Sequence, residues 1–269
     1  MTDVTNRIYE VIDEEHGDKP AATRRQLVAG AAAALGSMGL LGAADAMAAK
    51  PGFTSDANDT AMIANVAATA EVLATIVNTV GPEKVELDQV TRANVRAAAR
   101  EELIHYQVLT SDAVGGSPIT KRIWVPDAVF SSKEQFLTTL VVGDQIFINA
   151  YLLGLTVFAR GGGLRGSQFA RYLAEFMGTE GVHRALALQS LGRVGNDRAF
   201  MRFATREEAP GLPSTGRPGF YRIGEAVEYL EAAGFGFGKE GKGPGQFYDF
   251  DEVSRRTPDP DVVNTRAIS

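Results

Sequence analysis

Glu102-Leu103-Ile104-His105 and Glu180-Gly181-Val182-His183 are the two stretches on which the reading of this chain turns. Each places a histidine three residues after a glutamate. On an α-helix that spacing stacks the two side chains on one face, one above the other, so both can converge on a single ion. The chain has three histidines, and the third, His16, lies in an N-terminal segment read below as removable. With ordinary glutamate usage, both remaining histidines would share this spacing by chance about once in a hundred chains. The competing reading is two core histidines, each bonded to the glutamate one turn before it.

Around these stretches the apolar pattern predicts four long helices. The first runs from about Ser55 to Asn78, with Ser55, Asp56 and Asn58 offering N-caps and Gly81-Pro82 as the stop. The second runs from Asp88 or Thr91 to Leu109 and carries Glu102 and His105. The third begins at Ser131 or Ser132 and continues to about Ala159, where Gly161-Gly162-Gly163 breaks it. The fourth runs from about Ser167 to Leu191, ends at Gly192, and carries Glu180 and His183. The first and last connections are short and make antiparallel hairpins. The middle one, Thr110 to Val129, is long and holds Gly115-Gly116, Pro118, Trp124 and Pro126. An all-α bundle with one crossover connection, over residues 55–193, is the expected fold.

The segment 194–269 has another texture. Pro210, Pro213 and Pro218 punctuate a loop, Ile223 to Ala233 predicts a short amphipathic helix, and Gly234-Phe235-Gly236-Phe237-Gly238 breaks it. An irregular Gly/Pro-rich tail follows, with Phe247, Tyr248 and Phe250 as docking anchors. A strap over the bundle and a partner-binding segment are both open readings of it.

The other two helices each contribute one isolated acid. Glu71 is the only acidic residue between Asp59 and Glu83, and Asp144 is alone in a long apolar run. Lone carboxylates in such surroundings are costly unless paired, protonated or metal-bound. Four carboxylates meeting in a bundle core raise one another's pKa, whereas two divalent cations neutralise them and neutral imidazoles complete the coordination. Arg92, Arg96, Arg100, Arg171 and Arg184 are alternative partners, although most fall on solvated helix faces. Tyr106, Tyr151 and Tyr172 read as core or rim residues; Tyr151, seven residues after Asp144, shares its face.

Composition narrows the chemistry. The chain has no cysteine, which excludes thiolate zinc sites, iron–sulfur clusters, disulfides and thiol catalysis. A metal must be held by His, Asp and Glu, which suit iron, manganese or zinc. A net charge of −6 without any Lys/Arg-rich run argues against nucleic acid as a partner. Residues 1–22 are polar; then Thr23-Arg24-Arg25-Gln26-Leu27-Val28 leads into a Gly/Ala/Leu-rich stretch and Ala46-Met47-Ala48. This resembles a twin-arginine export signal over residues 1–48, followed by a linker at 49–54. Export by that translocon to the periplasm, cell envelope or exterior is the expectation. No further apolar run is read as long enough to span a membrane.

Glu71, Glu102-x-x-His105, an acid at Asp144 and Glu180-x-x-His183 together resemble the ligand set of the ferritin-like superfamily. Glu101-Glu102-Leu103-Ile104-His105 and Asn149-Ala150-Tyr151-Leu152-Leu153-Gly154 are similar to its bacterial branch related to plant desiccation-related proteins. The resemblance covers about half the chain. It implies a ferritin-like four-helix bundle holding two iron or manganese ions, with Glu102 and Glu180 bridging them. Glu71 and His105 would complete one ion, Asp144 and His183 the other. It further implies an oxidoreductase acting on dioxygen or peroxide, or oxidising iron; ferroxidase-like and manganese-catalase-like activities use nearly the same ligands and stay open, as does assembly into a homo-oligomer. One departure is Asp144, where the family usually places glutamate: a side chain shorter by one methylene would hold its ion loosely, through water, or not at all. The alternative function is an envelope stress or desiccation-related scaffold or binding protein on the same bundle, with structural metal or none.

Overall fold

The computed structural model describes residues 58–196 and 222–263. The segments read as an export signal and a linker, the candidate caps Ser55 and Asp56, and the prolines at 210, 213 and 218 lie outside the described residues. The chain is mostly helical.

Helix α1 spans Thr60–Lys84, opened by Asp59, whose side chain accepts from the Met62 N–H at 2.7 Å. It is buried almost all round, from Ile63 through Val80, so its sequence shows continuous apolar character rather than one stripe. The Gly81-Pro82 pair does not stop it, contrary to the sequence expectation. Pro82 sits inside the last turn and the Arg92 guanidinium donates to its carbonyl, while the Val85 N–H closes on Gly81. Helix α2, Gln89–Leu109, starts where the sequence predicts, because Asp88 accepts from both the N–H and the hydroxyl of Thr91. Its buried residues Val95, Ala98, Ala99, Glu102 and Leu109 form a single stripe, into which the Glu–His pair falls.

After the crossover, Ser132 caps helix α3, Lys133–Gly161. A turn at Gly162 (φ 68°) reverses the chain directly into helix α4, Gly163–Ser190, which therefore begins several residues before the predicted start at Ser167. The buried positions Phe169, Leu173, Phe176, Glu180, His183 and Ala187 run at helical spacing along α4. Helix α1 packs on α2 and α3 on α4, and the pairs α1–α3 and α2–α4 close the ring. All four helices thus share one interior. By length and composition α1 and α3 are each apolar enough to cross a membrane, which corrects the expectation that no such run follows the N-terminal one. Of their most apolar windows 72% and 44% respectively are buried inside the protein, and each inner face carries a buried carboxylate, as core helices can.

The crossover and tail are more ordered than the sequence suggests. Strand β1, Arg122–Pro126, lies between β2, Gly236–Phe237, and β3, Gly245–Asp249, in an antiparallel sheet. A short helix α5, Gly224–Ala232, precedes β2 and matches its predicted place. Ile123 and Val125 point into the core, while Trp124 meets the Phe247 ring edge-on at 5.2 Å. The glycines of the tail have a steric reason: a Cβ on Gly245 would lie 2.6 Å from the Trp124 indole nitrogen, and one on Gly241 would meet the Gly234 carbonyl at 2.0 Å. After β3, helix α6, Phe250–Val253, and a further turn dock on the bundle. Phe250 stacks on Tyr106 at 4.4 Å and Thr257 meets Thr79 at 3.1 Å. Of the two readings left open for the tail, its described part is a strap.

Candidate metal centre

Glu71 from α1, Glu102 from α2 and Glu180 from α4 are each fully buried, and His105 is 5% exposed. The ring nitrogen Nδ1 of His105 lies 3.4 Å from Glu102 Oε2, 3.6 Å from Glu71 Oε1 and 3.6 Å from Glu180 Oε1. One ligand atom from each of the four residues falls within 4.8 Å of the other three. This buried cluster could hold a metal ion. A nitrogen facing three carboxylate oxygens, all beyond good hydrogen-bond distance, is poorly satisfied by any one of them.

The remaining two predicted ligands stand beside this cluster rather than inside it. His183 Nδ1 is 3.2 Å from Glu102 Oε1 and 3.5 Å from Glu180 Oε2, so it addresses the other oxygens of the same two glutamates. Asp144, 5% exposed, lies outside the four-residue group and feels the charges of Glu180, His183, Glu102 and the buried Arg184. The structure thus brings all six residues into one interior, four of them around a common point.

Several polar atoms here have no hydrogen-bond partner among the described residues: Glu71 Oε2, Glu102 Oε2, both Glu180 oxygens, Asp144 Oδ2, His105 Nδ1 and His183 Nδ1. Buried polar atoms left unpaired cost about 1–3 kcal/mol each. So many converging on one place is what a cation would resolve. Oxygen and imidazole donors without sulfur fit iron, manganese or zinc.

The electrostatics carry the same tension. Burial pushes the Glu71 carboxyl well above the usual glutamate range, the Glu102 charge pushes the same way, and His105 opposes them. Burial likewise raises Asp144, with the Glu180 charge adding to it. Glu102 behaves oppositely. Burial disfavours its ionised form, but the charge of His183 and the close approach of both imidazoles overcome that and hold it far below the usual range. Both histidines are also buried, which works against protonation, yet the facing carboxylates raise their pKa well above the ordinary value: Glu71 first for His105, Glu102 first for His183.

Three neighbours complete the site that the spacing argument did not assign. Glu101 Oε2 lies 2.7 Å from His183 Nε2. Glu101 is adjacent to Glu102 and so projects about 100° away around α2, which removes it from any single-face pattern. Tyr151, 3% exposed, donates from α3 to Glu71 Oε1 on α1; its place seven residues after Asp144 was the available signal. Asn78, seven residues after Glu71, donates to Glu102 Oε1 at 3.5 Å. The Phe176 ring lies 4.2 Å from the His105 ring and 5.8 Å from that of Tyr151, walling that end with apolar surface. Set against family models, curated proteins and solved structures, this chain matches none of them.

Proposed function

We infer that this chain is an exported ferritin-like four-helix-bundle protein whose buried centre holds two iron or manganese ions and acts as an oxidoreductase on dioxygen or peroxide, or oxidises iron. The observation that carries this reading is the convergence of Glu71, Glu102, His105 and Glu180 on one point, with at least one polar atom of each left unpaired among the described residues. His183 supports a second ion, since it faces the second oxygens of the same two glutamates. In this reading Glu71, Glu102, His105 and Glu180 would hold metal at one side of the cluster, and Asp144 and His183 would add ligands at the other. Bound metal would supply the redox chemistry and bind the oxidant. The chain's own residues hold that chemistry in place. Four helices set the ligand spacing, Glu101 orients the His183 ring, Tyr151 holds the Glu71 carboxylate, and Phe176 keeps water from His105. The twin-arginine segment fits a protein that acquires its metal while folding and then crosses the membrane folded, with no disulfide needed outside.

A second reading has its own support. The raised pKa values of Glu71, Asp144, His105 and His183 describe a cluster that can neutralise itself with protons instead of cations. Such a protein would be an envelope scaffold on the same helices. Elemental analysis of the exported protein, beside a Glu102→Ala/His105→Ala variant, separates the two. About two iron or manganese ions per chain, lost in the variant, is the expected result. No metal in either protein, with the variant equally or more stable, would leave the scaffold reading.

A further inference from the structure

The two ends of the cluster differ. Glu71 and Asp144 stand in corresponding places on the first helix of each hairpin, and seven residues beyond them stand Asn78 and Tyr151. At the Glu71 end, Tyr151 bonds the carboxylate and Phe176 lies against His105. At the other end the acid is a methylene shorter, an asparagine shares its pocket lining, and neither Asp144 Oδ2 nor Asn78 Oδ1 has a partner among the described residues. Two pockets reach Asp144: one runs between α2, α3 and α4 toward His183, the other between α1, α3 and α5.

The second of these is walled by Leu73 and Val77 of α1, Val142 and Phe147 of α3, and Leu230 of α5. Asn78, Thr139 and Asp144 are its polar residues, and the Thr139 hydroxyl already donates to the Gln135 carbonyl at 2.8 Å. Val142 and Gly143 are half-buried, which makes the α3 wall the one nearest solvent. The cavity volume is about 40 Å³. Since a single water needs about 10–15 Å³, this space takes a molecule of two or three heavy atoms and excludes a hydrated cation. Its walls also discriminate by polarity. The surface it exposes is almost wholly apolar, with the unpartnered Asp144 and Asn78 oxygens buried behind it, so hydrogen peroxide would give up most of its hydrogen bonds on entering, whereas an uncharged molecule without donors loses none.

We propose that this pocket is a binding site for a small uncharged gas of dioxygen's size, which it presents to the Asp144–His183 end of the cluster. This rests on the metal-centre reading and deepens it: dioxygen, rather than peroxide, is the oxidant the walls select, and the ion held by the shorter acid is the one that meets it.

Two probes test it on the full chain. Xenon titrated into metal-free protein is expected to give saturable shifts in the methyl resonances of Leu73, Val77 and Leu230. Val142→Phe, which fills the pocket from its outer wall, is expected to abolish them; Ala233→Leu fills it from the opposite side should Val142→Phe fail to fold. In iron(II)-loaded protein, the same variant is expected to slow nitric oxide association at least about tenfold, since binding then requires the walls to open, with iron content unchanged. No xenon shift in the wild-type protein overturns the proposal. So does an unchanged nitric oxide rate in a variant that has lost xenon binding, or a variant that slows reaction with peroxide but not with nitric oxide. Failure to load iron would overturn the metal-centre reading instead, and the xenon titration would still decide the pocket.

Discussion

His183 has two ring nitrogens with different tasks. A carboxylate only accepts, so Nε2 carries the proton toward Glu101, and Nδ1, turned toward Glu102 and Glu180, is the nitrogen whose lone pair a metal would take. Such outer carboxylates fix ring orientation and raise ligand basicity. Glu101→Gln is therefore expected to weaken metal binding about 10–100-fold in a chelator-competition titration, whereas a merely exposed acid would leave it unchanged. Acidity acts on the same residues. Glu71, Asp144, His105 and His183 all have raised pKa values, so a metal-free cluster holds protons that a cation must displace. Affinity therefore rises with pH through neutrality and falls on acidification as the histidines and the raised carboxyls take up protons. Calorimetry in buffers of different ionisation enthalpy should show net proton release on loading. Loading without proton release would mean that these groups are not the ligands.

At the level of single elements, helix α1 shows how packing reverses a local preference. Gly81 lies in its last turn, where replacing glycine by alanine ordinarily stabilises a helix by about 0.5–1 kcal/mol. Here a Cβ would sit 2.1 Å from the Phe136 ring, and Phe136 is fully buried with no room to retreat. Overpacking of this kind costs about 1–3 kcal/mol, which outweighs the propensity gain. Gly81→Ala should lower the urea midpoint at constant slope, and a stabilised variant would show that the α1–α3 contact is looser than described. The same contact explains why Gly81-Pro82 does not end the helix: the pair is pinned under Phe136 and capped by Arg92.

The whole molecule is held by the strap as well as by the four helices. Phe250, 3% exposed, inserts beside Tyr106 of α2, and Arg256 pairs with Glu83 of α1 and Glu252. The Arg256 contacts are exposed and contribute little. Phe250 carries most of the docking, so Phe250→Ala is expected to cost about 3–5 kcal/mol in chemical denaturation, far more than Arg256→Ala. Equal effects would mean that the strap is held by its charges. Metal should add global stability too, because its ligands come from different helices. At a free concentration a hundredfold above its Kd, an ion bound only by the folded state contributes about 2.7 kcal/mol. Chelation should remove that increment from wild-type protein and leave Glu102→Ala/His105→Ala unaffected.

Helical periodicity alone identified the four long helices, the Glu–His pairs on the second and fourth, and the isolated acids on the other two. These are features that a 3.6-residue repeat and the cost of burying a charge make visible in one dimension. The start of α2 was legible for the same reason, since Asp88 and Thr91 are local partners. What the sequence could not show depends on distant residues meeting. Strand β1 is five residues long and β2 two, and their partners lie more than a hundred residues apart, so no local alternation marks the sheet. Glu101 enters the site only because α4 brings His183 to the side of α2, and Tyr151 only because α3 lies against α1. The tertiary structure alone decided which four ligand atoms share a point and which end of the cluster meets a pocket. Both follow from how closely neighbouring helices approach, and side-chain spacing along one helix carries no information about that distance.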